Sequence, residues 1–217
     1  MAYDADETHL REEIVAVSQA MADRGLNKGT SGNVSARLED GLLVTPSGVV
    51  PQALTPDAIV RLDGSGRAEV GALKPSSEWR MHAGLYARRS DVQAVVHCHS
   101  RHATILACAG RPIPAFHYMV AVGGKAFIPL APYRTFGTLE LADAVADALD
   151  GGFACLMANH GQIAAASSLA KALAIAEEVE EQAAVYWGAL AIGGPNVLSD
   201  AEMAAVFDQF KGYGQDG

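Results

Sequence analysis

His97 and His99 stand two residues apart in the apolar run Val95-Val96-His97-Cys98-His99, and His160 closes a second apolar run, residues 153–158, just before Gly161. Side chains two apart in a strand project from the same face, so one rigid strand can present both imidazoles to a single ion. A third imidazole from a distant segment completes a facial set. Three protein nitrogens with one side left open suit a catalytic metal centre, whereas closed structural sites are usually dominated by cysteine. A His-x-His pair alone is more often two core histidines bonded to backbone carbonyls. The third histidine shifts that balance because it lies at a strand end followed by a turn, where sheets present their chemistry. His9, His82, His102 and His117 fall in helical or loop patterns and read as packing or surface residues.

Three small polar loops precede the histidines: Gly29-Thr30-Ser31-Gly32-Asn33, Thr45-Pro46-Ser47-Gly48 and Pro75-Ser76-Ser77-Glu78. Each by itself is most often a turn. Together they carry what a phosphate cradle needs: glycines that let backbone N–H groups approach an anion, Ser and Asn donors, and a helix start at Ser76-Ser77. Glu78 follows in the first turn of that helix, where a carboxylate could reach both a metal and a bound substrate; an ion pair or a capping-box carboxylate is the plainer alternative.

The frame that must position these groups is read from period and composition. At 217 residues, half of them hydrophobic, the chain suits one domain spanning 1–217 with a substantial core. A formal charge of −9 without any Lys/Arg run argues against a nucleic-acid surface or a membrane-bound basic helix. The acidic, polar start and the lack of an apolar stretch of about 18 residues point to a cytoplasmic protein. Small molecules and further copies of the chain are the expected partners. Cys98, Cys108 and Cys155 suit reduced, buried thiols, and Cys98, alternating with the two histidines, should face away from them.

Apolar residues at helical spacing predict an amphipathic helix over 7–24, carried by Leu10, Ile14, Val17 and Met21, with Gly25 as its stop. Two hairpin-like units follow, 33–38 with 42–45 and 58–62 with 68–70. A helix capped by Ser76 or Ser77 leads directly into the histidine strand. Helices are predicted over 101–109, 139–149, 168–192 and after the cap Ser199-Asp200, with strands near 127–128 and through Cys155. Hairpins flanked by helices predict an α/β domain of α+β character, a single three-layer α/β/α sandwich around a largely antiparallel sheet.

Read in order, Gly-Thr-Ser-Gly-Asn33-Val-Ser, Pro-Ser-Ser-Glu78-Trp, Val-Val-His97-Cys-His99, Ile-Pro-Ala-Phe-His-Tyr118-Met, Ala-Pro-Tyr-Arg-Thr-Phe-Gly-Thr and Asn-His160-Gly resemble the class II aldolase/adducin family, and the likeness extends to Phe-Lys-Gly-Tyr213-Gly near the end. The resemblance implies one zinc ion per subunit, or another divalent ion such as Co or Mn, held by Glu78, His97, His99 and His160. It implies a phosphate pocket of Gly32, Asn33, Ser47, Gly48, Ser76 and Ser77, and a cyclic homotetramer with active sites at subunit interfaces. Tyr118 and Tyr213 would lie near the aldehyde end of the substrate, beside an aromatic wall from Phe136.

The implied reaction is cleavage of a ketose 1-phosphate, L-fuculose 1-phosphate or a close analogue, to dihydroxyacetone phosphate and a small aldehyde such as L-lactaldehyde. Charge developing on the adjacent C2 and C3 oxygens suits a divalent cation, and none of Lys28, Lys74, Lys125 and Lys171 sits in an imine-forming context. Glu78 is the expected acid and base, and Tyr118 the proton donor to the aldehyde oxygen. A 5-deoxyribulose- or 5-methylthioribulose-1-phosphate aldolase is the first alternative, because a pocket distinguishes one methyl group by only about 1–3 kcal/mol. A sugar-phosphate 4-epimerase and a non-enzymatic adducin-like binding module follow.

Overall fold

The computed structural model describes residues 5–212. Seven strands form one sheet in the order β3-β2-β1-β4-β7-β6-β5, where β1 is Asn33–Leu38, β2 Gly41–Val44, β3 Val60–Asp63, β4 Ala94–Cys98, β5 Leu130–Ala131, β6 Ala154–Met157 and β7 Gly161–Ala166. Every neighbouring pair is antiparallel except β5 with β6. The histidine strand β4 therefore lies at the centre, buried on both faces, which explains its continuous apolar run.

Alternation along the strands sends two sets of side chains to two helical layers. Val34, Ala36, Ala94, Val96 and Cys98 pack with Ile14, Val17 and Met21 of α1 (Ala5–Asp23) and Ala172 and Ala176 of α5 (Leu169–Ala191). On the other face Val95, Ile163 and Ala165 pack with Met81 and Leu85 of α2 (Trp79–Arg88) and Leu141 and Val145 of α4 (Leu139–Leu149). Helix α3 (Arg101–Cys108) lies against α5, and α6 (Asp200–Phe210) packs on the 3-10 turn Tyr118–Gly123. This is the expected three-layer sandwich. None of the described helices is long and apolar enough to cross a membrane.

Several sequence expectations change. The inward stripe of α1 includes a charged pair, Glu7 and Arg11, both buried, with Arg11 also donating to the carbonyl of Ile59. The 58–62 and 68–70 hairpin shrinks to one antiparallel bridge, Leu62 with Ala68, closed by Asp63 N donating to Arg67 O, while β3 pairs along its length with β2. The reason is local, since the Asp63 carboxylate accepts from Ser65 N, Ser65 Oγ and Arg67 N and closes a compact turn, leaving Val70 94% exposed. The strand expected at 127–128 is a single bridge between Ile113 and Ile128; pairing resumes beyond Pro129 at β5.

Neither Ser76 nor Ser77 caps α2; Glu78 occupies the cap position. Strand β7 was not legible, because Gln-Ile-Ala-Ala-Ala has little intrinsic strand preference and pairs only because β4 and β6 flank it. Cys98 and Cys155 are buried as expected, whereas Cys108, on the last turn of α3, is exposed.

Candidate metal centre and adjoining anion cleft

Strand β4 carries His97 inward and leaves His99 one residue beyond its end, while the β6–β7 hairpin delivers His160 from its turn. Asn159 adopts a left-handed conformation there, φ 56°, which Asn tolerates better than most residues and which turns the chain so that His160 faces β4. Register then does the rest: His97 pairs with Ile163 of β7 on one side and Asn33 of β1 on the other.

The three imidazoles form a near three-fold propeller. Ring centroids lie 4.9 Å apart for His97 and His99, 4.8 Å for His97 and His160 and 5.0 Å for His99 and His160, with interplanar angles of 68°, 76° and 69°. One donor atom from each falls within 4.8 Å of the others. His97 Nδ1 is 2.8 Å from the carbonyl oxygen of Gln162, so it carries the proton and leaves Nε2 with a lone pair directed at the centre. His97 Nε2 and His99 Nε2 are 3.1 Å apart.

Glu78 completes the set from the N-terminus of α2. Its Oε2 lies 3.3 Å from His97 Nε2 and its Oε1 3.0 Å from His160 Nε2. Oε1 is buried and makes no properly aligned hydrogen bond. The triad of His97, His99 and His160 could hold a metal ion, and the Glu78 carboxylate stands directly beside it.

Electrostatics agree with a centre built for positive charge. Burial pushes the Glu78 carboxyl up, but the imidazoles of His97 and His160 outweigh it and hold the group well below the usual carboxylate range. Burial, then the neighbouring His97 and His160, lowers His99 to about 4. Cys98 faces the opposite layer, where burial raises its thiol to about 12, so it takes no part.

The polar loops converge beside this cluster. Ser47 N donates to Lys74 O and Ser76 N to Thr45 O, which ties the second loop to the third. Gly32 and Asn33 line a cleft with Thr30, Ser31, Thr45 and Pro46. Gly32 has φ 76°, and a Cβ there would fall 2.1 Å from Asn27 Nδ2, so only glycine fits. Ser47, Gly48 and Ser77 are exposed, whereas Ser76 is buried and its Oγ accepts from Glu78 N. Asn33 differs from the others because its carboxamide donates from Nδ2 to Glu78 Oε2 at 2.9 Å.

Tyr118 stands apart from the cluster. It is 51% exposed and stacks on Phe210, with His117 alongside. Phe136 is 64% exposed. Tyr213 lies outside the described residues.

Sequence reasoning missed the groups behind the centre. His82, read as a packing residue, is fully buried but is bonded to Asn33 Oδ1 at 2.5 Å through Nε2 and to Ser35 Oγ at 2.7 Å through Nδ1. Ser35 Oγ meets Tyr86 OH at 2.6 Å. Burial, then the neighbouring His97, lowers His82 to about 3, which keeps it neutral. The spacing of Glu78, His82 and Tyr86, four residues apart along one helix, was the available signal. Asn27 was missed too; its Oδ1 accepts from His99 N.

Comparison with known proteins places this geometry. The model of the family described as Class II Aldolase and Adducin N-terminal domain matches residues 12–187. The chain is 48% identical over 207 residues to 5-methylthioribulose-1-phosphate/5-deoxyribulose-1-phosphate aldolase of Rhodospirillum rubrum, covering 95% of this chain and 93% of that protein. It is 50% identical over 206 residues to L-fuculose phosphate aldolase of Escherichia coli O6:H1, covering 94% and 95%. A solved structure of L-fuculose 1-phosphate aldolase superposes with a TM-score of 0.91 at 39% identity, over 97% of this chain and 98% of that one. The chain belongs to the class II aldolase/adducin family and is an aldolase, a lyase, of that family.

Proposed function

We propose that the protein cleaves L-fuculose 1-phosphate or a close analogue between C3 and C4, releasing dihydroxyacetone phosphate and a small aldehyde such as L-lactaldehyde. The observation that carries this reading is the placement of one carboxylate, Glu78, against three converging imidazoles and beside the Gly32–Asn33 cleft. Relatives named for fuculose phosphate and for the two ribulose phosphates are about equally similar, and all three names are ketose 1-phosphate aldolases or their like.

In this reading Glu78, His97, His99 and His160 hold one divalent ion, zinc first and Co or Mn as alternatives. When bound, the ion supplies Lewis-acid stabilisation of the substrate's C2 and C3 oxygens as the bond breaks. Gly32, Asn33, Ser47, Gly48, Ser76 and Ser77 bind the phosphate near the start of α2, Ser47 and Ser76 through their hydroxyls because their backbone N–H groups already donate to Lys74 O and Thr45 O. In the synthetic direction the Glu78 carboxylate takes a proton from C3 of dihydroxyacetone phosphate, the C3 electron pair forms the bond to the aldehyde carbon, and the Tyr118 hydroxyl gives its proton to the resulting C4 oxygen; the proton left on Glu78 returns to Tyr118 through solvent, and cleavage runs the same steps in reverse. Tyr213, outside the described residues, is proposed to serve the aldehyde end with Tyr118.

Tyr118 and Phe136 are exposed, which supports their lying at an interface between copies in a cyclic homotetramer. Residues 1–217 are taken as one domain. A dianionic sugar phosphate does not cross a bilayer unaided, which supports a cytoplasmic enzyme.

The test is a coupled assay for dihydroxyacetone phosphate with L-fuculose, 5-deoxyribulose and 5-methylthioribulose 1-phosphates, with and without chelator. Chelator-sensitive release with kcat/KM highest for fuculose 1-phosphate is the expected result. A higher value for a ribulose derivative transfers the assignment to that sugar. Epimerised sugar phosphate without free aldehyde would identify an epimerase, and no turnover of any kind a binding module.

A further inference from the structure

We infer that His82 is a positioning residue for Glu78, acting through Asn33 and backed by Ser35 and Tyr86. The inference rests on the reading of Glu78 as the reacting carboxylate, and it concerns what aims that carboxylate.

The argument follows from donors and acceptors. An ionised Glu78 can only accept, so the Asn33 group 2.9 Å from Oε2 is the NH2 of its carboxamide. Asn33 Oδ1 then faces His82, and the 2.5 Å contact requires a proton on His82 Nε2. A neutral ring has its lone pair on Nδ1, where Ser35 supplies its only hydroxyl proton at 2.7 Å. Ser35 must in turn accept from Tyr86 at 2.6 Å. Every donor in the series points towards Glu78. No member can turn without leaving a buried polar atom unpaired, and such a loss is costly.

The geometry makes the series stiff. Ser35 and His82 are wholly inaccessible, and Asn33 is 5% exposed. Asn33 and Ser35 project from the same face of β1, while His82 and Tyr86 lie one and two turns beyond Glu78 on α2. Strand β1 is held to β4 by the pairing of Asn33 with His97. The carboxylate and the imidazole it faces are therefore registered by the same residue. A hydrophobic ring at position 82 would fill the volume and leave Asn33 free to rotate its amide.

Two measurements decide the matter. The first is the nitrogen-15 tautomer of His82 in the purified full-length protein with its metal at pH 7. The expected state is Nε2 protonated and Nδ1 bare; an Nδ1-protonated ring would overturn the inference, because its bare Nε2 would need the Asn33 NH2 and turn the amide oxygen towards Glu78. The second compares His82→Leu with His82→Gln, using whichever of the three ketose 1-phosphates the wild-type enzyme cleaves.

His82→Leu should lower kcat about ten- to a hundred-fold with KM within about three-fold, as loss of an outer supporting residue does. His82→Gln, whose amide can still donate to Asn33 Oδ1, should recover most of that loss. Combining His82→Leu with Asn33→Leu should add little to Asn33→Leu alone. Equal damage from Leu and Gln, or full kcat in the Leu variant, would mean that His82 only fills space. Should the Leu variant not fold, the tautomer decides. A wild-type enzyme that cleaves none of the sugars defeats the aldolase reading instead, and the tautomer still judges the positioning.

Discussion

Gly161 and His99 approach so closely that no side chain fits between them: a Cβ on Gly161 would lie 3.0 Å from His99 Cδ2 and 2.5 Å from the carbonyl oxygen of Cys98. The first residue of β7 thus sets how near the third imidazole segment comes to the end of β4. Gly161→Ala should push the end of β4, and His99 with it, away from His160, because the nearest clash is with the Cys98 backbone. Metal affinity measured by titration calorimetry should fall about ten-fold or more. Unchanged affinity and activity would show that the centre tolerates the displacement.

Glu78→Gln keeps the shape of the side chain and an oxygen that can face the cluster, but removes the base. Bound metal should persist, and dihydroxyacetone phosphate release should fall by a factor on the order of 10²–10⁴, the range for a general base. Near-normal turnover would remove Glu78 from the chemistry.

His97→Ala removes the imidazole shared by both pairs of close contacts. Metal content by elemental analysis should drop to background, with far-ultraviolet circular dichroism retained. Stoichiometric metal in this variant would contradict the proposed ligand set.

The buried ring of His82 gives the metal-free protein a characteristic acid response. Its folded-state value near 3 lies below its ordinary 6.5, so between these values the unfolded chain takes up the proton and the folded chain does not. Stability is full above about pH 6.5 and falls as the pH drops towards 3, with a loss on the order of 1–2 kcal/mol between pH 6.5 and 5 from this residue. Glu78, depressed in the folded state, adds its own loss only at lower pH. Urea midpoints of chelated protein at pH 7, 6 and 5 measure the slope, and His82→Leu should reduce it, leaving the part due to His99, which is lowered to about 4.

Arg11 and Glu7 form an ion pair at 2.6 Å with 1% and 5% of their side chains exposed. Arg11→Met removes one charge, leaving Glu7 with Arg61 at 2.6 Å on its other oxygen. Unfolding should cost about 3 kcal/mol less, the lower end for breaking a buried pair, because one cation remains. Chemical denaturation checks the value.

How far the sequence could be read varies element by element. The start of helix α6 was legible at Ser199-Asp200, because Ser199 and Glu202 form a complete capping box and such signals act within one turn. Helix α4 begins at its Thr138 cap for the same reason. Strand β7 was hidden, since its alanines acquire their conformation from β4 and β6 and carry little preference of their own. His82 was set aside as packing because burial and polar wiring look alike when its partners Asn33 and Ser35 lie nearly fifty residues earlier.

By itself the sequence determined the kinds of donor available, the period-two spacing that turns His97 and His99 to one side, the polar glycine loops and the family likeness, all of which depend on local geometry or on the order of motifs. Only the tertiary structure decided that Glu78 takes the cap position of α2, that His160 swings in from a hairpin turn, and that Asn33 gives its amide to Glu78 while Tyr118 faces outward. Local rules reach about four residues along a helix or two along a strand. Bringing residues 33, 78, 97 and 160 within bonding distance depends on the register of antiparallel neighbours, which is fixed when whole faces are buried together.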